Sequence, residues 1–188
     1  ARALIISALS ARSPQTTLIV ATPTGTGAQQ LHDDLAQFLG ADNALLFPAW
    51  ETLPLERVSP SVETMGRRME VLWRMRGTDR PRVVVGSVRA LLQKLGPNAT
   101  TFEPIIVRPG AELDADELLK QLVNGGYRRE ELVEHRGEIA RRGSIIDIFP
   151  STSNTPVRID LWGDEVDRLT SFNVNDQRST EPLSEAVI

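Results

Sequence analysis

The stretch Thr17-Leu-Ile-Val-Ala-Thr-Pro-Thr-Gly-Thr-Gly-Ala-Gln-Gln-Leu31 runs an apolar strand into a loop with Gly25 and Gly27, then into an amphipathic helix. Strand, glycine loop and helix are the parts of a phosphate cradle, so this segment decides both the fold class and the first functional question. The phosphate loop needs a glycine, four free positions, a second glycine, Lys and then Ser or Thr. With Gly27 as the second glycine the slots hold Thr22, Ala28 and Gln29; with Gly25 they hold Val20, Thr26 and Gly27. Neither register supplies the Lys. The dinucleotide pattern also fails, because Gln30 stands in the third glycine position. The segment therefore reads as a strand-to-helix turn that keeps the shape of a nucleotide unit without its chemistry, although the amides of a helix N-terminus still attract anions weakly.

Outward from this unit, residues 1–102 alternate helix and strand. Residues 2–11 predict a helix, and 28–39 another with Leu31, Leu35, Phe38 and Leu39 on one stripe. The runs Thr17–Ala21, Ala44–Phe47 and Arg82–Gly86 predict continuously apolar strands, the pattern of a parallel sheet covered on both faces. A Pro-rich loop over 48–60 leads into a helix with Val62, Met65, Met69, Leu72 and Trp73 on its apolar face. Within that loop, Trp50 is read as packing beneath the loop in preference to binding.

After Gly96-Pro-Asn98 the pattern changes. A strand at 105–107 and a helix at 114–123, capped by Asp114, precede strand-like segments over 142–149, 157–162 and 165–174 that are joined by polar turns. Hairpin-linked strands predict a mixed or antiparallel sheet. The expected fold class is α/β: a parallel-sheet domain over 1–102, with 181–188 returning to it, followed by a smaller α+β module over 103–180.

Composition narrows the functions. The chain has no cysteine and two histidines, His32 and His135, which excludes disulfides, thiolate metal sites and a multi-His centre; a reducing, cytoplasmic setting fits. No apolar run is long enough to span a membrane. The opening Ala-Arg-Ala-Leu-Ile-Ile reads as the middle of a helix, so a longer parent chain is expected. Eleven basic and eight acidic residues fall in 1–102, ten and fifteen in 103–180. The acidic second part argues against a broad nucleic-acid stripe there, and arginines set among acids suit a protein partner. Direct DNA contact by the weakly basic first part remains an alternative.

Asp164-Glu165-Val166-Asp167 has the letters of an ATPase acidic box, but Trp162-Gly163 precedes it in place of a buried apolar strand, so it reads as a hairpin turn. No catalytic set and no cofactor or metal site is signalled. The informative stretch is Val157-Arg-Ile-Asp-Leu-Trp162. Alternation puts Val157, Ile159 and Leu161 on one face and Arg158, Asp160 and Trp162 on the other. A solvated ladder of charges and a partner-binding patch both fit, and a large aromatic beside Arg favours the patch. Arg142, at the head of the preceding strand, can bring a second guanidinium alongside.

Three segments in order, "WETLPLERVSP", "RRGSIIDIFP" and "VRIDLWGDEVDRL" with "FNVNDQRS", resemble the N-terminal region of the bacterial transcription-repair coupling factors, which is similar to the excision-repair protein UvrB. The resemblance implies a degenerate helicase-like domain without ATPase function, then the module, shared with UvrB, that binds UvrA. It carries UvrA contacts onto Arg142, Arg158 and Trp162, with Asp160 a fourth, and leaves a basic contact of UvrB relatives in doubt at Ala140. It further implies that this region is not an enzyme. ATP, magnesium, RNA polymerase and duplex DNA would be engaged by other parts of a full-length translocase. The competing reading is a fragment of an active excision-repair helicase such as UvrB. Against it, the place of UvrB's tyrosine-rich DNA-clamping hairpin holds Trp50–Pro54, and Tyr127 is the sole tyrosine.

Overall fold

The computed structural model describes residues 1–52, 60–96, 99, 101 and 103–188. The chain divides into two compact units, Ala1–Glu103 and Pro104–Ile188. Most of the Pro-rich loop, and Pro97 and Asn98 of the expected boundary, lie outside the described residues.

The first unit is a three-stranded parallel sheet, order β1-β3-β2, formed by β1 (Leu18–Thr22), β2 (Ala44–Phe47) and β3 (Val83–Ser87). Helices α1 (Arg2–Arg12) and α2 (Gly25–Leu39) share one apolar cluster with Ala44, Val83 and Val85. Helices α3 (Val62–Arg76) and α4 (Val88–Leu92) close over Leu45, Phe47 and Val84 on the other face. The central strand β3 is buried at every position, Ser87 included. The β1 strand differs from the expectation of two covered faces. It is a sheet edge, and its Ile19 is exposed.

The opening glycines are not in a loop. Thr24 is the N-cap of α2, its Oγ1 accepting from the Gly27 N–H at 3.1 Å, so Gly25 and Gly27 lie in the helix's first turn. Leu35 is buried on this helix but Phe38 points outward. In α3 the deepest positions are Thr64, Gly66, Arg68 and Val71 rather than the expected stripe, because Arg68 lies between two aromatic rings. Trp50 is half-buried: its ring lies 4.5 Å from the Arg68 guanidinium, and its backbone N–H donates to Gln93 Oε1 at 2.8 Å.

The second unit holds β4 (Ile106–Val107), α5 (Ala115–Asn124), β5 (Arg128–Arg129), β6 (Glu138–Arg142), β7 (Ile145–Ile148), β8 (Val157–Trp162), β9 (Glu165–Phe172), β10 (Ser179–Pro182) and β11 (Ala186–Val187). Six of these strands form one sheet, order β10-β9-β8-β7-β6-β5, antiparallel except for β5 with β6. Asp114 caps α5 by accepting from the N–H groups of Asp116 and Glu117. The helix buries Leu118, Leu119 and Leu122 against Ile139, Ile146, Ile148, Ile159 and Leu169.

Two expectations are corrected here. Residues 181–188 do not return to the first unit: β11 pairs with β4, Ala186 opposite Val107, so the closing segment stays within the second. The run 142–149 is not one strand. Gly143, at φ 63°, turns the chain so that Arg142 ends β6 while Ile145 begins β7. Only a left-handed residue permits so tight a reversal, which is why glycine stands there.

Candidate functional site

The sheet of the second unit has one face on α5 and another that is only partly covered. Cross-strand register fixes what the second face carries. One row runs Ala140, Asp147, Arg158, Thr170; the next runs Arg142, Ile145, Asp160, Arg168. Trp162 follows Asp160 on the same side of β8, about 7 Å along the strand. The alternation read from the sequence holds: Val157, Ile159 and Leu161 are buried, whereas Arg158 and Asp160 are intermediate and Trp162 is 83% exposed.

The two ends of this face differ. At one end Val133, Ala140 and Phe172 form a small buried cluster with Phe149. Gln177 Nε2 donates to the Val133 carbonyl at 3.2 Å and ties the 130–137 loop down over it. Ala140 is 1% exposed in this cluster, so no long basic side chain occupies that position. At the other end Arg142, Trp162 and Arg168 are open, with Ile145 and Asp160 partly so.

Arg158 lies at the boundary, and its guanidinium is already engaged. Nε donates to Asp147 Oδ1 at 2.7 Å and Nη2 to Oδ2 at 2.9 Å, a two-point fork. Nη1 donates to the Gln177 carbonyl at 2.9 Å, and the group stacks 4.8 Å above the Phe172 ring. These bonds to Asp147 raise the Arg158 pKa above its ordinary value, against burial, with the charges of Asp147 and Asp160 adding to the rise. Arg142 Nη2 reaches the same carboxylate, 2.5 Å from Oδ2. Asp147 is 1% exposed. One buried carboxylate thus holds two arginines, one inside and one reaching outward.

Sequence reasoning brought Arg142, Arg158, Asp160 and Trp162 to one face and the structure places them there. It missed Asp147, Ile145 and Arg168. Asp147 sits in Ile145-Ile-Asp-Ile148, where a single acid interrupts a buried apolar strand; that is a signal, because a lone buried carboxylate requires a cationic partner. Arg168 has no ion-pair partner among the described residues. Charge is held differently on the outer strands. Burial opposes ionisation of Glu138, but the N–H groups of Glu134 and His135, with the charges of His135 and Arg128, outweigh it and lower its pKa. No group of His, Asp or Glu able to hold a metal occurs among the described residues, and no helix among them is long and apolar enough to cross a membrane.

Comparison with known proteins follows the same division. Residues 105–188 match the family described as the UvrB interaction domain. Over 95% of its length the chain is 43% identical to the transcription-repair-coupling factor of Mycobacterium tuberculosis, and covers 15% of that protein. It is 36% identical to the factor of Bacillus subtilis over 98% of its length, and covers 16% of that relative. With the Escherichia coli factor it shares 33% identity over 88% of its length, covering 14%. The chain thus spans only about 15% of the length of the relatives it matches. It belongs to the transcription-repair-coupling factor family and carries a UvrB interaction domain over residues 105–188.

Proposed function

We propose that this segment is a recruitment module that binds UvrA through the open end of the second unit's sheet, bringing excision repair to a stalled RNA polymerase. The observation that carries it is Trp162, 83% exposed on a domain of the UvrB interaction family and flanked on its own face by Arg142, Asp160 and Arg168. A solvated ladder of charges has no reason to present an indole to water. An exposed aromatic on a face that also carries two open arginines has the composition of an interface centre, where exposed apolar area is buried on association and guanidiniums pair with carboxylates. The likeness to coupling factors supports a role in transcription-coupled DNA repair, in a region that acts by interaction rather than catalysis. The first unit, a parallel sheet without the phosphate-loop residues, serves in this reading as a degenerate helicase-like scaffold. ATP, magnesium, RNA polymerase and duplex DNA belong to other parts of the full-length protein, in a cytoplasmic setting.

The test is titration of UvrA against Arg158→Ala and Trp162→Ala. Loss of the indole should weaken binding by roughly 2–4 kcal/mol and leave the melting temperature nearly unchanged, since Trp162 supports no core. Undiminished affinity in both variants, each with an intact fold, would remove the assignment.

A further inference from the structure

The geometry points to Asp147 as the positioning residue of the partner-binding face: its buried carboxylate, held in place by Arg158, fixes the direction of Arg142 without itself reaching the partner. The inference rests on the recruitment reading and adds to it a residue that lies beneath the surface. Three observations carry it. The Asp147 side chain is 1% exposed, so a docking protein does not touch it. Both its oxygens are committed, Oδ1 to Arg158 Nε and Oδ2 to Arg158 Nη2 and Arg142 Nη2. The two arginines differ in what this leaves free: Arg158 has a side chain 12% exposed, whereas that of Arg142 is 43% exposed.

The consequence is a division of labour. A free arginine samples many rotamers, and ordering it at an interface costs side-chain freedom. Arg142 is held by one of its terminal nitrogens, so its guanidinium is directed before any partner arrives, with donors still open. Arg158 keeps Asp147 in place through the two-point fork, while Phe172 below and the Gln177 carbonyl beside it fix the plane of that fork. Gln177 has φ 59°, a left-handed conformation that few side chains adopt, and this backbone presents the carbonyl to Arg158. The carboxylate that directs Arg142 is itself out of a partner's reach.

The experiment is UvrA titration of the whole chain carrying Asp147→Asn, with Trp162→Ala measured beside it. Asparagine keeps the size and an acceptor oxygen but loses the charge, and the expected result is a loss of affinity of about tenfold. In an Arg142→Ala background the same substitution should change affinity much less, because the arm through which Asp147 acts is gone. An equal loss in both backgrounds would show a route that bypasses Arg142 and overturn the inference, as would unchanged affinity in the folded Asp147→Asn protein. If Asp147→Asn does not fold, Asp147→Glu keeps the charge and displaces the carboxylate by one methylene. A folded Asp147→Glu protein that binds as tightly as the parent would equally overturn it. Unchanged binding by Trp162→Ala as well would instead count against the recruitment reading.

Discussion

Each unit buries an arginine against aromatic rings, and the two are held in opposite ways. Arg68 on α3 is 1% exposed, 4.1 Å from the Phe47 ring and 4.5 Å from the Trp50 ring, with Nη1 donating to the Pro48 carbonyl. Its Nε and Nη2 are buried without a hydrogen-bond partner among the described residues, and burial lowers its pKa. Arg158 has one ring beneath it and a carboxylate in front. Stacking satisfies the face of a guanidinium but not its N–H edge. The edge needs directed acceptors, and among the described residues an ionised one is supplied in the second unit, to Arg158. The aromatic sandwich therefore fixes a plane and fills a core, whereas the carboxylate fixes directions, which is what a recognition surface requires.

Deleting the carboxylate should break this contrast most severely. Asp147→Ala leaves a largely buried guanidinium uncompensated and is expected to destabilise the second unit by about 3–5 kcal/mol in urea denaturation. A loss below about 1 kcal/mol would mean that water already compensates Arg158. Gly143→Ala tests the turn that swings Arg142 onto Asp147. No atom lies within 4 Å of an added Cβ, so only the left-handed φ of 63° opposes the change, and about 1–2 kcal/mol should be lost.

Arg68→Met should move stability by less than about 1 kcal/mol in either direction. The methionine keeps volume between the rings and removes two unpartnered donors, which offsets the lost bond to Pro48. A loss above 3 kcal/mol would show that the charge itself is needed. The smallest effect is a pH slope. Glu138 is ionised more readily in the folded than in the unfolded chain, so the stability it contributes is present at neutral pH. That stability is lost as pH falls below the usual glutamate range, about 4.3. Acid titration of Glu138→Gln beside the parent protein should show a shallower decline for the variant.

Much of this was legible in the amino acids, for physical reasons that also set the limit. Strand alternation at 157–162 is a period-two signal with one apolar face, and it survived folding intact. The parallel sheet was legible from its apolar runs, but β1's edge position was not, because the order β1-β3-β2 is a long-range property. The stripe on α3 differs from its apolar pattern because scales of apolarity do not anticipate an arginine buried by stacking. The 142–149 run reads as one strand because a single glycine between arginines and isoleucines carries no local sign that its φ is left-handed. With that turn hidden, the pairing of Asp147 with Arg158 could not be seen. Pairing of β11 with β4 joins chain segments far apart in sequence, and neither carries a local mark of it.

The order of the second sheet has a consequence for how this surface is inherited. From β6 to β9 each strand pairs with the next in sequence, so every residue of the face from Arg142 to Arg168 is contributed by one uninterrupted run of chain. Contacts between near neighbours close short loops, and chains built from them fold quickly. A patch written in consecutive hairpins can also be copied, transplanted or lost as a single piece of coding sequence, together with the buried acid that aims it. Portability of this kind is what the recruitment role proposed for this face would call for.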